Sequence, residues 1–212
     1  MKYQQTTAPK FFSKKRCIIL SMVTLLLIIS GAVIAQPKIA DKLSSLVNSV
    51  RLDRSPGESA FPDIDTVNLG PTRQKIISLA KTEFKAQSAG TKFSQGAKEL
   101  WCANFVSYIM NQAGAPLKNS HTGGWRIPGT FTLREYYEAT GRFKSDNSDY
   151  QPLPGDAAIY RNSPVFGDHT NIVLKNDNGA LTTVGGNEAN RIRVFVNHDK
   201  QYDGLLGYGV SN

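Results

Sequence analysis

Cysteine is scarce in this chain: of 212 residues, only Cys17 and Cys102 carry a thiol. Cys17 opens a long apolar run, out of reach of a globular partner, so no disulfide framework holds the fold together. Histidine is nearly as rare. His121, His169 and His198 are scattered, with no His-x-x-x-His spacing and no cysteine pair, which argues against a metal centre. Gly185-Gly186 is not followed by Lys-Ser/Thr, so it is not a phosphate loop, and no cofactor is expected. Internal repeats and low-complexity tracts are also missing. Acidic residues are absent from the first 35 positions, where Lys2, Lys10, Lys14, Lys15 and Arg16 carry +5 of the formal +8. The +3 left for the other 177 residues is an ordinary surface charge, which excludes a nucleic-acid-binding face as the meaning of the high net charge.

What is present is a composition of 40% hydrophobic and 20% charged residues, that of a folded chain. Residues 1–16 read as a basic cytoplasmic segment. Residues 17–35 hold nineteen positions without a charge. At about 1.5 Å per residue that run is about 28 Å long, close to the thickness of a hydrocarbon core. The basic cluster before it should stay in the cytoplasm and send the rest of the chain outward. The run is therefore expected to be a transmembrane signal anchor, or alternatively a signal peptide cut after Val33-Ile34-Ala35. Either places the remaining chain outside the cytoplasm, at the cell surface or in a periplasm.

Residues 36–71 read as a stalk and linker, with a weak helical period from Ile39 to Val50 and then a Pro- and Gly-punctuated stretch closing at Gly70-Pro71. Residues 72–212 are expected to form the functional domain. Thr72 is placed to cap a helix carrying Ile76, Ile77, Ala80 and Phe84 on one face. A second helix runs from near Trp101 to Gly114, a C-cap glycine followed by Pro116. Thr132–Thr140 has the spacing of a short capped helix with Glu135 in the box position. After Pro152 the character changes to strands: Ala157–Tyr160, His169–Lys175, Ala180–Val184 beyond an Asn-Asp-Asn-Gly turn, Arg191–Val196 and Tyr208–Val210. Helices followed by a run of antiparallel strands is an α+β layout.

Cys102 stands at the start of the second helix. A lone cysteine is ordinarily a small buried hydrophobe, but a thiol at a helix N-terminus lies in the favourable end of the helix dipole. His169 begins a strand, and Asn187 follows the next one in Val184-Gly185-Gly186-Asn187. If those strands pair as a hairpin, the histidine and asparagine share one end of it. An ordinary thiol is mostly protonated near neutrality, and an imidazole beside it converts the pair to thiolate and imidazolium. A third group holds the ring through its other nitrogen, and a neutral amide can do so. The first amides of the helix, that of Cys102 included, are candidate oxyanion donors. His121 and His198 lie in polar stretches and read as surface residues, Asp156 as a turn residue, and Trp101, Trp125, Tyr136 and Tyr137 as aromatic core.

Trp-Cys-Ala-Asn-Phe-Val-Ser, then Pro-Gly-Asp before a strand, then Gly-Asp-His-Thr-Asn-Ile-Val, then Val-Gly-Gly-Asn resembles the CHAP family of cysteine- and histidine-dependent amidohydrolases/peptidases, over roughly residues 72–205. The resemblance implies a papain-like fold with Cys102 as nucleophile, His169 as base and then acid, and Asn187 as the orienting residue. It also implies peptidoglycan or its stem peptides as substrate. Several members of that family carry an acidic residue two positions before the asparagine. Here that position is Gly185, and Glu188 follows instead, which leaves Asn187 and Glu188 both open as the third residue. Two other readings remain at this stage: a catalytically silent domain that binds wall polymer or a partner, and a thiol peptidase or amidase acting on a protein.

Overall fold

The computed structural model describes residues 60–163, 167–196 and 204–211, all within one compact unit, Pro56–Asn212. The apolar run 17–35 and the helical stretch expected around residues 39–50 lie outside the described residues, as does His198. Among the described residues no helix is long and apolar enough to cross a membrane.

Helix α1 spans Pro71–Ala86. Proline at its first position fits, because its φ is already helical and its missing N–H would have been unpaired there. Gly70, not Thr72, is the N-cap, and no side chain caps the helix. Ile76, Ile77 and Ala80 form its buried face. It stops at Gln87, which takes a left-handed φ of 47°. The Gln87 side chain then clamps the backbone of Ile192, donating to its carbonyl at 2.8 Å and accepting from its N–H at 3.2 Å. Part of the stretch read as linker is packed as well: Phe61 and Ile64 lie against the core, with Phe61 5.6 Å from Phe84 between ring centres.

Helix α2 is a single turn, Gly90–Phe93. Helix α3, Cys102–Gln112, is apolar almost all round, as a central helix must be. Cys102, Ala103, Phe105, Val106, Ile109 and Met110 are all buried, and the helix packs on the sheet while α1 and α2 cover its other sides. Phe105 is fully buried, so truncation to alanine would cost about 3–5 kcal/mol. Helix α4, Thr130–Ala139, starts three residues earlier than the capping pattern suggests, with Gly129 and not Thr132 as N-cap.

The described strands are β1 Phe143–Ser145, β2 Ala157–Ser163, β3 Gly167–Asp177, β4 Ala180–Glu188, β5 Arg191–Val196 and β6 Leu205–Gly209. They form one six-stranded sheet in the order β1-β6-β2-β3-β4-β5, and every neighbouring pair is antiparallel. With the helices packed against it, this is the α+β layout expected. The sheet has two apolar faces. Ala157 and Ile159 join the main core under the helices, while Ala158 and Tyr160 join a smaller cluster with Val173, Leu181 and Tyr208. That alternation is the two-residue period of a strand.

A candidate thiol hydrolase site

The helices and the hairpin bring two of the expected site residues together. Cys102 is the first residue of α3 and is 7% exposed. His169, the third residue of β3, is also buried. The imidazole lies close enough to the Cys102 thiol to feel its charge, and its Nε2 lies 3.2 Å from Glu188 Oε1. Asn187 sits in the same hairpin end, at a left-handed φ of 63°. Among the described residues no hydrogen bond joins it to His169. The carboxylate of its neighbour Glu188, itself buried, stands against the ring instead.

Local backbone geometry explains the exchange. The β4–β5 pairing shifts register between Gly185 and Glu188, and Asn187, Ala189 and Asn190 all have positive φ. Such a run is costly for residues with a Cβ, most of all for alanine, and it persists only where the surroundings impose it. Here Trp101 imposes it. Its indole N–H donates to Asn190 Oδ1 at 3.2 Å, tying the turn to the residue just before the thiol. The two glycines make room from the inside. A Cβ at Gly186 would sit 2.5 Å from the Trp101 ring, and one at Gly185 would sit 2.5 Å from Glu188 Oε1. The glycine pair is thus a packing device that lets α3, the turn and the carboxylate meet.

The charges follow the packing. Burial opposes a charged imidazole, but the hydrogen bonds and charges of Cys102 and Glu188 outweigh it and raise the His169 pKa to about 9. Burial pushes the Glu188 carboxyl up from its ordinary value, against the pull of His169, Asn171 and Arg193. An imidazole that keeps its proton beside a thiol is the setting in which the thiolate form is favoured.

The α3 N-terminus carries no side-chain cap, so the first amides are not consumed by one. Asn104 and Arg126 brace the turn from the other side, both binding Glu99 Oε1, at 2.9 and 2.5 Å, while Arg126 also donates to Asn104 Oδ1 at 3.0 Å. A groove of about 510 Å3 runs past Leu100, Trp101 and Asn190, and neither Cys102 nor His169 lines it. A second hollow, about 490 Å3, lies over the smaller apolar cluster between Tyr150, Tyr160 and Tyr208, and none of the site residues line it. Among the described residues no three of His, Cys, Asp and Glu cluster closely enough to hold a metal ion.

The remaining side chains weighed in the sequence fall elsewhere. His121 is 63% exposed and pairs with Glu135 at 3.0 Å. Asp156 is fully buried and holds Arg73, a larger part than a turn residue plays. Trp101, Tyr136 and Tyr137 are core, while Trp125 packs edge-on against Tyr108 from a half-buried position.

The CHAP domain family model matches residues 93–187, from the end of α2 to the last residue before Glu188. Over those residues the chain is similar to the CHAP domain family. No curated protein matches the chain. That similarity implies cysteine- and histidine-dependent amidohydrolase or peptidase activity, often directed at peptidoglycan. The match holds Cys102 and His169 and stops one position short of the carboxylate that touches the ring.

Proposed function

We propose that this chain is a membrane-tethered, extracytoplasmic thiol hydrolase that cuts an amide bond of cell-wall peptidoglycan. The observation that carries the reading is the contact of one buried imidazole with both a helix-start thiol and a buried carboxylate. With Nε2 engaged by Glu188, Nδ1 is the nitrogen that serves Cys102. Sγ of the thiolate attacks the carbonyl carbon, forming a C–S bond, and the imidazolium gives its proton to the leaving nitrogen as the C–N bond breaks. The neutral imidazole then takes a proton from water, whose oxygen attacks the thioester. The C–S bond breaks, and a carboxylic acid and the thiol are released. The backbone amide of Cys102 is a donor for the developing oxyanion. Glu188 orients the ring in the part first assigned to Asn187. The apolar run 17–35 supplies the tether, and the basic residues before it set the orientation.

Digestion of purified peptidoglycan with the wild-type chain and with Cys102→Ala tests the reading. New amino and carboxyl termini are expected from the wild type alone. Identical products from both proteins, or none from either, would overturn it.

A further inference from the structure

Asn171 lies on β3, two residues beyond His169, and is completely buried. Its Nδ2 is 3.2 Å from Thr183 Oγ1 on β4, and its Oδ1 has no hydrogen-bond partner. That oxygen shares the space beside Gly185 with a carboxylate oxygen. A Cβ at Gly185 would fall 1.9 Å from Asn171 Oδ1 and 2.5 Å from Glu188 Oε1, so both atoms converge on the space the glycine leaves. Two acceptors facing each other away from water is an arrangement that buried polar groups avoid.

One rotation removes the conflict. The oxygen and nitrogen of a side-chain amide are told apart by their partners, not by their shape. With the amide turned over, Oδ1 accepts from the Thr183 hydroxyl, which donates as readily as it accepts. Nδ2 then donates to the Glu188 carboxylate. We propose that Asn171 is a positioning residue of the site, held by Thr183 and donating its amide N–H to Glu188, so that Thr183, Asn171, Glu188, His169 and Cys102 form one hydrogen-bonded chain. The proposal rests on the hydrolase reading of Cys102 and His169, and it assigns a part to a residue that touches neither thiol nor substrate. Contact with Asn171 also favours the ionised form of Glu188. The other charged groups facing that carboxylate are His169 on β3 and Arg193 on β5.

The consequence is a pH effect with a definite sign. Without the amide donor, burial of Glu188 is opposed only by His169 and Arg193, so its neutral form gains. A neutral Glu188 supports the imidazolium less, and the thiolate appears at higher pH. Asn171→Leu keeps the volume and removes the donor. The rate of alkylation of Cys102 by iodoacetamide, followed from pH 4 to pH 10 in the full-length chain, should show a profile moved up by about one pH unit, which is about tenfold slower alkylation on the acid limb. Thr183→Val, which removes only the hydroxyl, should move it the same way by less. In a Glu188→Ala background, Asn171→Leu should add nothing.

A folded Asn171→Leu variant with the wild-type profile would overturn the proposal. So would an undiminished shift in the Glu188→Ala background, because Asn171 would then act without the carboxylate. If Asn171→Leu does not fold, the Thr183→Val profile decides. A wild-type Cys102 inert across the whole range would sink the hydrolase reading and the proposal with it, whereas a reactive Cys102 with no Asn171 effect would sink the proposal alone.

Discussion

Asp156 and Glu188 are both carboxylates sealed inside the same domain, and each meets a side chain that can carry positive charge, Arg73 at 2.8 Å and His169 at 3.2 Å. Beyond that they differ. Both oxygens of Asp156 are saturated. Oδ1 accepts from Arg73 and from the Ser211 N–H, and Oδ2 from the Tyr150 hydroxyl and the Leu153 N–H. Arg73 also binds the carbonyls of Pro154 and Ser211, so the cluster pins the start of α1 to the turn before β2 and to the end of the chain beyond β6. Glu188 instead faces a group that can exchange its proton, and that group faces a thiol. A buried carboxylate filled by fixed donors makes a clamp. One left to share a ring with Cys102 belongs, under the proposed function, to the reaction centre.

The sharpest way to break the comparison is to remove one member from each cluster. Cys102→Ala should abolish hydrolysis, by on the order of 10³-fold or more, with the thermal melt little changed. Asp156→Ala should do the reverse. It strands the Arg73 guanidinium in the interior, and loss of one partner of a buried pair costs about 3–5 kcal/mol. Urea unfolding would read that loss, while the fraction still folded keeps its specific activity. A Cys102→Ala variant as unstable as Asp156→Ala would mean that the thiol is mainly a packing group.

Glu188 tests the same division more finely. Glu188→Ala should lower kcat by about 10²-fold with KM little changed, because the residue orients the base and does not hold substrate. Asn187→Ala should have a much smaller effect on kcat, since among the described residues no hydrogen bond joins that side chain to the ring. The reverse ranking would restore the asparagine to the third role.

That ranking marks how far the sequence could be read. Cys102 and His169 were legible because each sits where a regular element begins, and hydrophobic spacing places α3 and the β3–β4 hairpin. The choice between Asn187 and Glu188 was not, because the carboxylate's arrival depends on a register shift and on positive φ at Asn187, Ala189 and Asn190. Asparagine signals such a backbone weakly and alanine not at all. Counting alternate faces along β4 therefore fails within its last residues. β1 and α2, three and four residues long, are too short to show a period and went unread for that reason. The packing of Phe61 and Ile64 was hidden by the proline and glycine around them, which punctuate a packed segment as they do a free one.

The proton on His169 gives a smaller effect, on stability. Its pKa rises from 6.5 to about 9 in the folded protein, despite burial, through Cys102 and Glu188. A raised pKa means that the folded state holds the proton more tightly than the unfolded chain does. The contribution is fully present below about pH 6.5 and is lost as pH rises through about 9. Urea unfolding of the wild type and of His169→Gln should show the gap between them narrowing over that window. A constant gap would mean that the imidazole is already neutral at pH 6.

His121 should give the smallest effect of all, and it completes the contrast between a histidine inside a cluster and one outside. It also meets a carboxylate, Glu135 at 3.0 Å, but from a side chain 63% exposed. An ion pair in water loses in side-chain entropy and screening most of what it gains, and such pairs contribute at most about 1 kcal/mol. His121→Ala should therefore leave hydrolysis, the alkylation profile and the melting temperature close to wild type. A loss of activity with stability unchanged would place the 119–124 loop at the substrate.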